Sequence, residues 1–307
     1  MSGIAVSVQA SPADLASWLG LARRLESSGF QGLLLGDHPG SGASPWPALG
    51  CAAAVTRRLT LGSCVVQAGV REPMHVAAEA ATLGILAPGR VLLGIGAGHT
   101  PREWADIGQV RPAPRQRAER LAEFVDVVSR LLRGETVTRE GRHLTLLGSR
   151  LEDLPAGHGV RLAVGGGHPE VLRAAARHAD VVGLSGLGRT LADGHHHEAR
   201  WSLADLQRQL RVVRAEAQRA GRKPTIEVLV HVVTVTEDRD AAVREIADRM
   251  AGASPGDVAR TPFALVGTHA QMAAQMRRQS EELGISSYVV REPAVGDLAH
   301  VIAMLNS

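Results

Sequence analysis

The chain has 307 residues, of which 45% are apolar and 3% are aromatic, and its formal net charge is +3. The large apolar share excludes a disordered chain and is enough for a sizeable core. Basic residues alternate with acidic ones, as in residues 115–130, and no basic block is interleaved with aromatics, so nucleic-acid binding is not expected. The mild positive balance favours an anionic small-molecule ligand.

Cysteine usage and hydropathy indicate the compartment. Cys51 and Cys64 are too few for a disulfide framework and lack metal-ligand spacing, which is typical of a reducing cytoplasm. The N-terminal stretch has no basic start before an apolar core, and no apolar run is long enough to span a bilayer. We therefore expect a cytoplasmic protein that does not enter a membrane.

The first 133 residues repeat one pattern, in which a short apolar run precedes a longer amphipathic segment. Each repeat has roughly 30 residues, the size of a strand–helix unit. Strands that alternate with helices in this way run parallel. The four apolar runs cover residues 4–10, 32–38, 59–69 and 90–98.

The pattern is interrupted after residue 133 and then resumes. Residues 134–159 predict a β-rich excursion with Gly and Pro turns, and residues 187–222 contain a second insertion and a helix. Four more apolar runs cover residues 160–167, 180–186, 225–236 and 286–292.

Eight strand–helix units in one chain predict an α/β fold of the (β/α)8 barrel type, built as a single domain over residues 1–307. A doubly wound sheet has the same periodicity and remains the alternative. In a barrel the functional groups lie at the C-terminal ends of the strands. The seventh of these ends is expected after Thr234 and the eighth after Val290.

Candidate side chains follow the second and fourth strands. Asp37 and His38 end the second apolar run. Gly94, Gly96 and Gly98 remove side chains where the fourth strand enters a loop, and we expect a flat ligand to approach the backbone there. The alternative is a Gly-rich turn before a solvent-facing helix. The polar residues that follow are His99, Arg102 and Glu103.

A second Gly-rich turn follows the fifth strand. Gly165, Gly166 and Gly167 precede a helix that begins at about Pro169, so free N–H groups and the positive end of a helix dipole favour a phosphate. The turn lacks the Lys and Ser/Thr of a P-loop and the dinucleotide spacing, and it fits tight packing equally well.

Two other patterns predict the absence of a function. The histidine run at 195–197 could bind a metal adventitiously, but no carboxylate–His–His arrangement at helical spacing accompanies it, so no metal site is expected. Ser185 lacks the nucleophile-elbow pattern, which disfavours hydrolase chemistry.

Several motifs together resemble those of the bacterial luciferase-like family of flavin oxidoreductases, and specifically its branch that uses the deazaflavin coenzyme F420. They extend over nearly the whole chain, and the branch assignment depends mainly on the pair Asp37 and His38. The motifs are "GDH" at 36–38, "PW" at 45–46, "LGSCVV" at 61–66, "GRVLLGIGAG" at 89–98 with Glu103 downstream, and "LAVGGGHPEVLRAAARHADVVGL" at 162–184.

The resemblance implies roles for individual residues. Asp37 would contact the ring system and orient or charge His38, which would act as acid or base, and His99 and Glu103 complete the implied catalytic set. A non-prolyl cis peptide is implied at Cys64–Val65, and Trp46 would line the substrate side of the ring. The implied cofactor-binding residues are Asp37, Trp46, Cys64, Val65, Gln67, Gly98, Arg102, Gly165, Gly166, Gly167, Ser185 and Gly186.

The resemblance leaves three functions open. The first is an F420-dependent oxidoreductase that moves a hydride between the deazaflavin ring and a small organic substrate. The others are an FMN-dependent monooxygenase and a barrel that binds a cofactor or ligand without catalysis. His99 stands where sugar-phosphate-oxidising relatives have a catalytic Glu, so that substrate class is not carried over. A homodimer is the family-based expectation for assembly.

Overall fold

In the computed structural model, which describes residues 3–152, 154, 159–191 and 197–306, strands and helices alternate along the chain. The strands in these ranges are β1 (Ala5–Gln9), β2 (Gly32–Leu35), β3 (Thr60–Ser63), β4 (Val66–Gln67), β5 (Val91–Gly96), β6 (Val137–Glu140), β7 (Thr145–Ser149), β8 (Arg161–Gly165), β9 (Val181–Leu184), β10 (Leu187–Thr190), β11 (His197–Ala199), β12 (Thr225–Leu229), β13 (Val232–Val235), β14 (Ala264–Gly267) and β15 (Ile285–Arg291).

The helices in the same ranges are α1 (Leu15–Ser27), α2 (Pro45–Val55), α3 (Pro73–Leu86), α4 (Pro101–Asp106), α5 (Pro114–Leu132), α6 (Pro169–His178), α7 (Leu203–Arg219), α8 (Arg239–Arg249), α9 (Pro255–Arg260), α10 (His269–Leu283) and α11 (Val295–Asn306). A short 3-10 helix covers Glu292–Ala294. No helix in the described ranges combines the length and the apolar character that crossing a bilayer requires.

Eight parallel strands close into a barrel, which confirms the predicted (β/α)8 architecture. Around the barrel they follow the order β1, β2, β3, β5, β8, β9, β12 and β15, and β15 pairs with β1 to complete the ring. In that closing pair Gln9 lies opposite Arg291, so the C-terminal ends of the first and last strands are neighbours. The short strand β4 continues the third strand beyond a break at Cys64 and Val65.

Alternate side chains of the strands fill two separate cores. One core lies inside the barrel and consists of Leu34, Leu92, Ala163, Val181 and Val289. Neighbouring strand residues such as Leu33 and Leu35 point the other way and pack in the layer between barrel and helices. Because successive side chains of a strand face opposite sides of the sheet, each strand contributes residues to both cores.

The predicted seventh strand is wrong in its extent. Residues 225–236 form two strands, of which only β12 pairs within the barrel. The second strand, β13, leaves the barrel and pairs with β14, a strand that the apolar pattern did not predict. The C-terminal end of the seventh barrel strand is therefore Leu229 and not Thr234. His231 lies between the two strands, where Nε2 contacts the Ser185 carbonyl at 2.5 Å.

The two interruptions contain short hairpins. Residues 134–159 include the antiparallel pair β6 and β7, and the second insertion includes the antiparallel pair β10 and β11. The helix α7 that follows packs against α6 and serves as the regular helix of the sixth unit. The stretch 187–222 thus contains both the insertion and the helix that the sequence predicts.

A glycine in the barrel wall provides a test of this packing. A Cβ at Gly94 would collide with the backbone oxygen of Ser63 on the neighbouring strand, so Gly94→Ala should lower the free energy of unfolding by about 2 kcal/mol. Gly20→Ala is the matched control, because no atom lies within 4 Å of that Cβ in helix α1. The control should raise the free energy by up to about 1 kcal/mol. Chemical denaturation measures both, and equal effects would contradict the packing described here.

Candidate functional site

A cavity of about 510 Å³ opens at the C-terminal ends of the barrel strands. This is the end where functional groups of such barrels lie, and the volume suits a small-molecule ligand. Its wall includes side chains from the first strand, Gln9, and from the last, Arg291, as well as Asp37 and His38 after the second. The closed ring of strands therefore gathers residues that are almost 300 positions apart in the chain.

The carboxylate of Glu103 joins two polar side chains of the cavity. Its Oε1 accepts a hydrogen bond from Nδ1 of His38 at 2.7 Å, and its Oε2 accepts one from the Gln67 amide. The Glu103 side chain is only 3% exposed, whereas that of His38 is 47% exposed. The acid is thus a buried support for an imidazole that is open to the cavity.

Local structure fixes both members of this pair. Glu103 lies in the first turn of α4, and the next residue, Trp104, packs so closely over Gly69 that a Cβ there would overlap the indole. On the other side, the His38 carbonyl accepts N–H groups from Ser41 at 3.0 Å and Gly42 at 2.8 Å. A tight turn therefore holds the His38 backbone, and close packing over Gly69 holds the helix that carries Glu103.

The pKa of His38 is raised, chiefly by its hydrogen bond with Glu103. Burial opposes the rise, the charges of Glu103 and Asp37 add to it, and the nearby Arg291 guanidinium opposes it. A carboxylate at hydrogen-bond distance stabilises the imidazolium form. His38 therefore retains a proton at higher pH than a free histidine does.

Asp37 does not orient His38, contrary to the expectation from the adjacent positions. It forms a bidentate ion pair with Arg71, with Nε at 3.0 Å from one oxygen and the terminal nitrogen at 2.7 Å from the other. The aspartate is only 2% exposed. Its hydrogen bonds thus tie the loop after the second strand to the loop after the third, and only its charge acts on His38.

His99 lies in a group of three imidazoles. Its ring centroid is 6.1 Å from that of His38 and 4.7 Å from that of His197, both in edge-to-face arrangements. The pKa of His99 is lowered to about 4, chiefly by burial and also by the charges of His197 and His38. His99 is therefore a neutral side chain near pH 7.

The third strand breaks at a non-prolyl cis peptide between Cys64 and Val65, as the resemblance implies. The Gln9 side chain donates to the Cys64 carbonyl at 2.5 Å. A Cβ on Gly96 would lie 2.6 Å from the Val65 side chain. A Cβ on Gly94 would strike the backbone oxygen of Ser63, the residue before Cys64. These two glycines therefore accommodate the break in the neighbouring strand. Both also line the cavity, and the approach of a flat ligand to the backbone there stays a prediction.

The Gly-rich turn after the fifth strand forms the part of the cavity best suited to an anion. Residues 165–167 line the cavity and precede α6, where His168 is the N-cap. Within the described part of the chain, no hydrogen bond uses the N–H of Gly167 or that of His168. Arg117 lines the same cavity, and its buried Nε has no hydrogen-bond partner among the described residues. Free N–H groups, a helix N-terminus and a guanidinium together suit a phosphate.

Most of the residues predicted for the site line this one cavity, but three do not. Trp46 packs partly buried against the core, and Arg102 is 80% exposed and pairs with Asp106. Gly186 has a φ of +63° and backs onto the ring of Phe263. The predicted residues that do line the cavity are Asp37, His38, Cys64, Val65, Gln67, Gly98, His99, Glu103, Gly165, Gly166, Gly167 and Ser185.

The sequence reasoning missed several charged or polar residues of the cavity. Gln9 and Arg291 are the last residues of their strands, and a search of every strand end for polar side chains would have found them. Glu227 lies inside an otherwise apolar strand, where it accepts a hydrogen bond from Ser287 at 2.8 Å. Burial raises the pKa of Glu227, which favours its neutral form.

The described residues contain no group of three or more His, Cys, Asp or Glu side chains arranged to hold a metal ion. Of the histidine run at 195–197, only His197 belongs to that part of the chain, and the other two positions lie outside the described residues.

Comparison with known proteins gives matches in sequence. A family model described as luciferase-like monooxygenase matches residues 1–262. The F420-dependent glucose-6-phosphate dehydrogenase of Beutenbergia cavernae is 36% identical over 196 residues, which cover 60% of this chain and 56% of that protein. The 4-hydroxyprotoasukamycin monooxygenase of Streptomyces nodosus subsp. asukaensis is 39% identical over 152 residues, or 48% and 40% of the two chains. The chain thus spans about half the length of the curated relatives it matches.

Solved structures show the same fold. An F420-dependent secondary alcohol dehydrogenase in complex with an F420–acetone adduct has a TM-score of 0.76 at 20% identity, covering 99% of this chain and 98% of the other. The F420-dependent tetrahydromethanopterin reductase of Methanopyrus kandleri has a TM-score of 0.74 at 16% identity, with coverage of 98% and 97%. At these identities the likeness establishes the architecture alone.

The role of Glu103 can be tested by titrating His38. Glu103→Gln removes the charge that holds the proton on Nδ1, so the pKa of His38 should fall. Because the wild-type pKa is raised, the variant should lose its imidazolium at lower pH than the wild type does. Nuclear magnetic resonance of the His38 ring measures the titration.

Glu119→Gln is the matched control, because Glu119 contacts His143 at 3.3 Å and does not line the cavity. It should leave the titration of His38 unchanged. An unaltered His38 pKa in Glu103→Gln would contradict the assignment of Glu103 as the support of this imidazole.

Proposed function

The chain belongs to the luciferase-like monooxygenase family, and from that premise we propose that it is an oxidoreductase that uses coenzyme F420 to transfer a hydride to or from a small organic substrate. The observation that carries the proposal is the buried Glu103 that supports His38 at the wall of the cavity. The F420-dependent names of the relatives support it as well.

The residues present fit such a cofactor. Two buried polar atoms of the wall, Oε1 of Gln67 and Nε of Arg117, lack partners among the described residues and are suited to a polar ligand. The unused N–H groups of Gly167 and His168 add two donors. Gln67 and the break at Cys64 and Val65 would hold the ring system, and the glycine turn with Arg117 would hold the phosphate.

Bound coenzyme F420 would supply a ring carbon that accepts or donates a hydride. His38 would carry the accompanying proton on Nε2, the ring nitrogen that Glu103 leaves unoccupied. Glu103 fixes the tautomer by holding the other nitrogen, and the raised pKa keeps the imidazole protonated to higher pH. His99, whose pKa is lowered, would stay neutral beside it and would not compete for the proton.

The second candidate is an FMN-dependent monooxygenase. The relative named 4-hydroxyprotoasukamycin monooxygenase, which shares 39% identity over 152 residues, favours it. Both cofactors carry a tricyclic ring and a phosphate, so the cavity wall and the glycine turn suit either of them. The two differ at the central ring position, where the deazaflavin has carbon and FMN has nitrogen.

Binding of the two cofactors in parallel tests the proposal. Purified protein should quench or shift F420 fluorescence with micromolar affinity and bind FMN at least about tenfold more weakly. Arg117→Ala should weaken F420 binding by about tenfold because it removes the guanidinium at the phosphate position.

Two further variants make the result specific. Arg115→Ala changes an arginine on the same helix that is 82% exposed and pairs with Glu119, so F420 binding should not change. His38→Ala should also keep most of the F420 affinity, because the proposed role of His38 is proton transfer. Preference for FMN, with oxygen uptake, would replace the first candidate by the second.

A further inference from the structure

Arg291 is an exposed cation on the cavity wall, and no carboxylate of the described residues pairs with it. It is the last residue of the eighth barrel strand, and its guanidinium donates to Oε1 of Gln9 across the pair that closes the barrel. None of the ion pairs found among the described residues includes Arg291. Gln9 is itself held by the Cys64 carbonyl at 2.5 Å, so a hydrogen-bonded chain fixes the guanidinium in place.

The carboxyl groups that share the cavity wall are already engaged. Asp37 is paired with Arg71, and Glu103 accepts from His38 and Gln67. Glu227 is hydrogen bonded to Ser287, and burial favours its neutral form. The charge of Arg291 therefore has no counterion within the described wall, and its field opposes protonation of both His38 and His231.

The position of Arg291 separates it from the phosphate site. Around the barrel, the eighth strand lies three strands from β8, which carries the glycine turn, and two strands from β2, which precedes His38. An anion at Arg291 would thus lie on the side of the proton-carrying imidazole. The glycine turn and Arg117 would serve the cofactor phosphate on the other side.

We propose that Arg291 binds an anionic group of the substrate, a carboxylate or a phosphate, and thereby orients the substrate toward His38. A guanidinium presents paired donors that match either group. Among the described residues, the hydrogen-bond partner of Arg291 is the neutral Gln9 amide, so its charge stays available to an anion. The assignment of the bound group as substrate rests on the proposed function, whereas anion binding at Arg291 does not.

Titration of the wild type and of Arg291→Gln with two probes, acetate and inorganic phosphate, tests the inference. The His38 ring signals report binding by nuclear magnetic resonance, and the experiment is run with and without F420. Both anions should shift the His38 signals of the wild type. Arg291→Gln should weaken the affinity for each anion by about tenfold or more. Arg291→Lys should retain part of it, because the charge remains while the paired donors are lost.

The outcomes separate this inference from the proposed function. Stronger binding of acetate would identify a carboxylate substrate, and stronger binding of phosphate a phosphorylated one. An equal response in the wild type and Arg291→Gln would overturn the inference, as would no response in the wild type. Loss of F420 binding in Arg291→Gln would assign Arg291 to the cofactor and also overturn it. If the wild type fails to bind F420, the proposed function fails, and the anion titration without F420 still tests Arg291.

Discussion

The carboxylate of Glu103 is a buried charge, and the rest of the site is arranged around the donors that it requires. An ionised carboxyl group removed from water is tolerated only when hydrogen bonds and opposite charge replace its hydration. Here His38 and Gln67 provide those bonds, one to each oxygen. Because His38 lies in the loop after β2 and Gln67 lies in β4, the acid fixes the relative positions of two separate segments. It also fixes the tautomer of His38 and leaves one ring nitrogen available to a ligand.

The other charges of the cavity are distributed so that each carboxylate has its own partner. Asp37 forms an ion pair with Arg71, and this pair joins two loops without contacting the His38 imidazole. The cations that remain, Arg117 and Arg291, lie toward different parts of the strand ring. Arg117 donates to the Gly98 carbonyl after the fourth barrel strand, and Arg291 lies opposite Gln9 of the first strand. A cavity with this charge pattern suits a cofactor and a substrate that each carry an anionic group.

The fold could be predicted from the sequence further than the site could. The alternation of apolar runs and amphipathic segments predicted the eight strand–helix units. The run at 225–236 contains no Gly or Pro, so the sequence does not mark where β12 ends and β13 leaves the barrel. The strand-end rule located Asp37, His38 and Glu103. It could not show that the fourth-strand glycines make room for a neighbouring strand, or that Gln9 and Arg291 meet, because both facts depend on which strands are adjacent. Arg102 and Trp46 were predicted as site residues from motif position alone. They lie in α4 and α2, and the orientation of these helices turns both side chains away from the cavity.

The central claim is that His38, supported by Glu103, faces a bound deazaflavin ring. Nuclear magnetic resonance of protein with isotope-labelled histidine, recorded before and after saturation with F420, tests it most directly. Bound F420 should shift the ring signals of His38 and leave those of His143, which lies outside the cavity, in place. Saturating F420 that leaves the His38 signals unmoved would contradict the account, because the cofactor would then lie away from the imidazole that the structure positions.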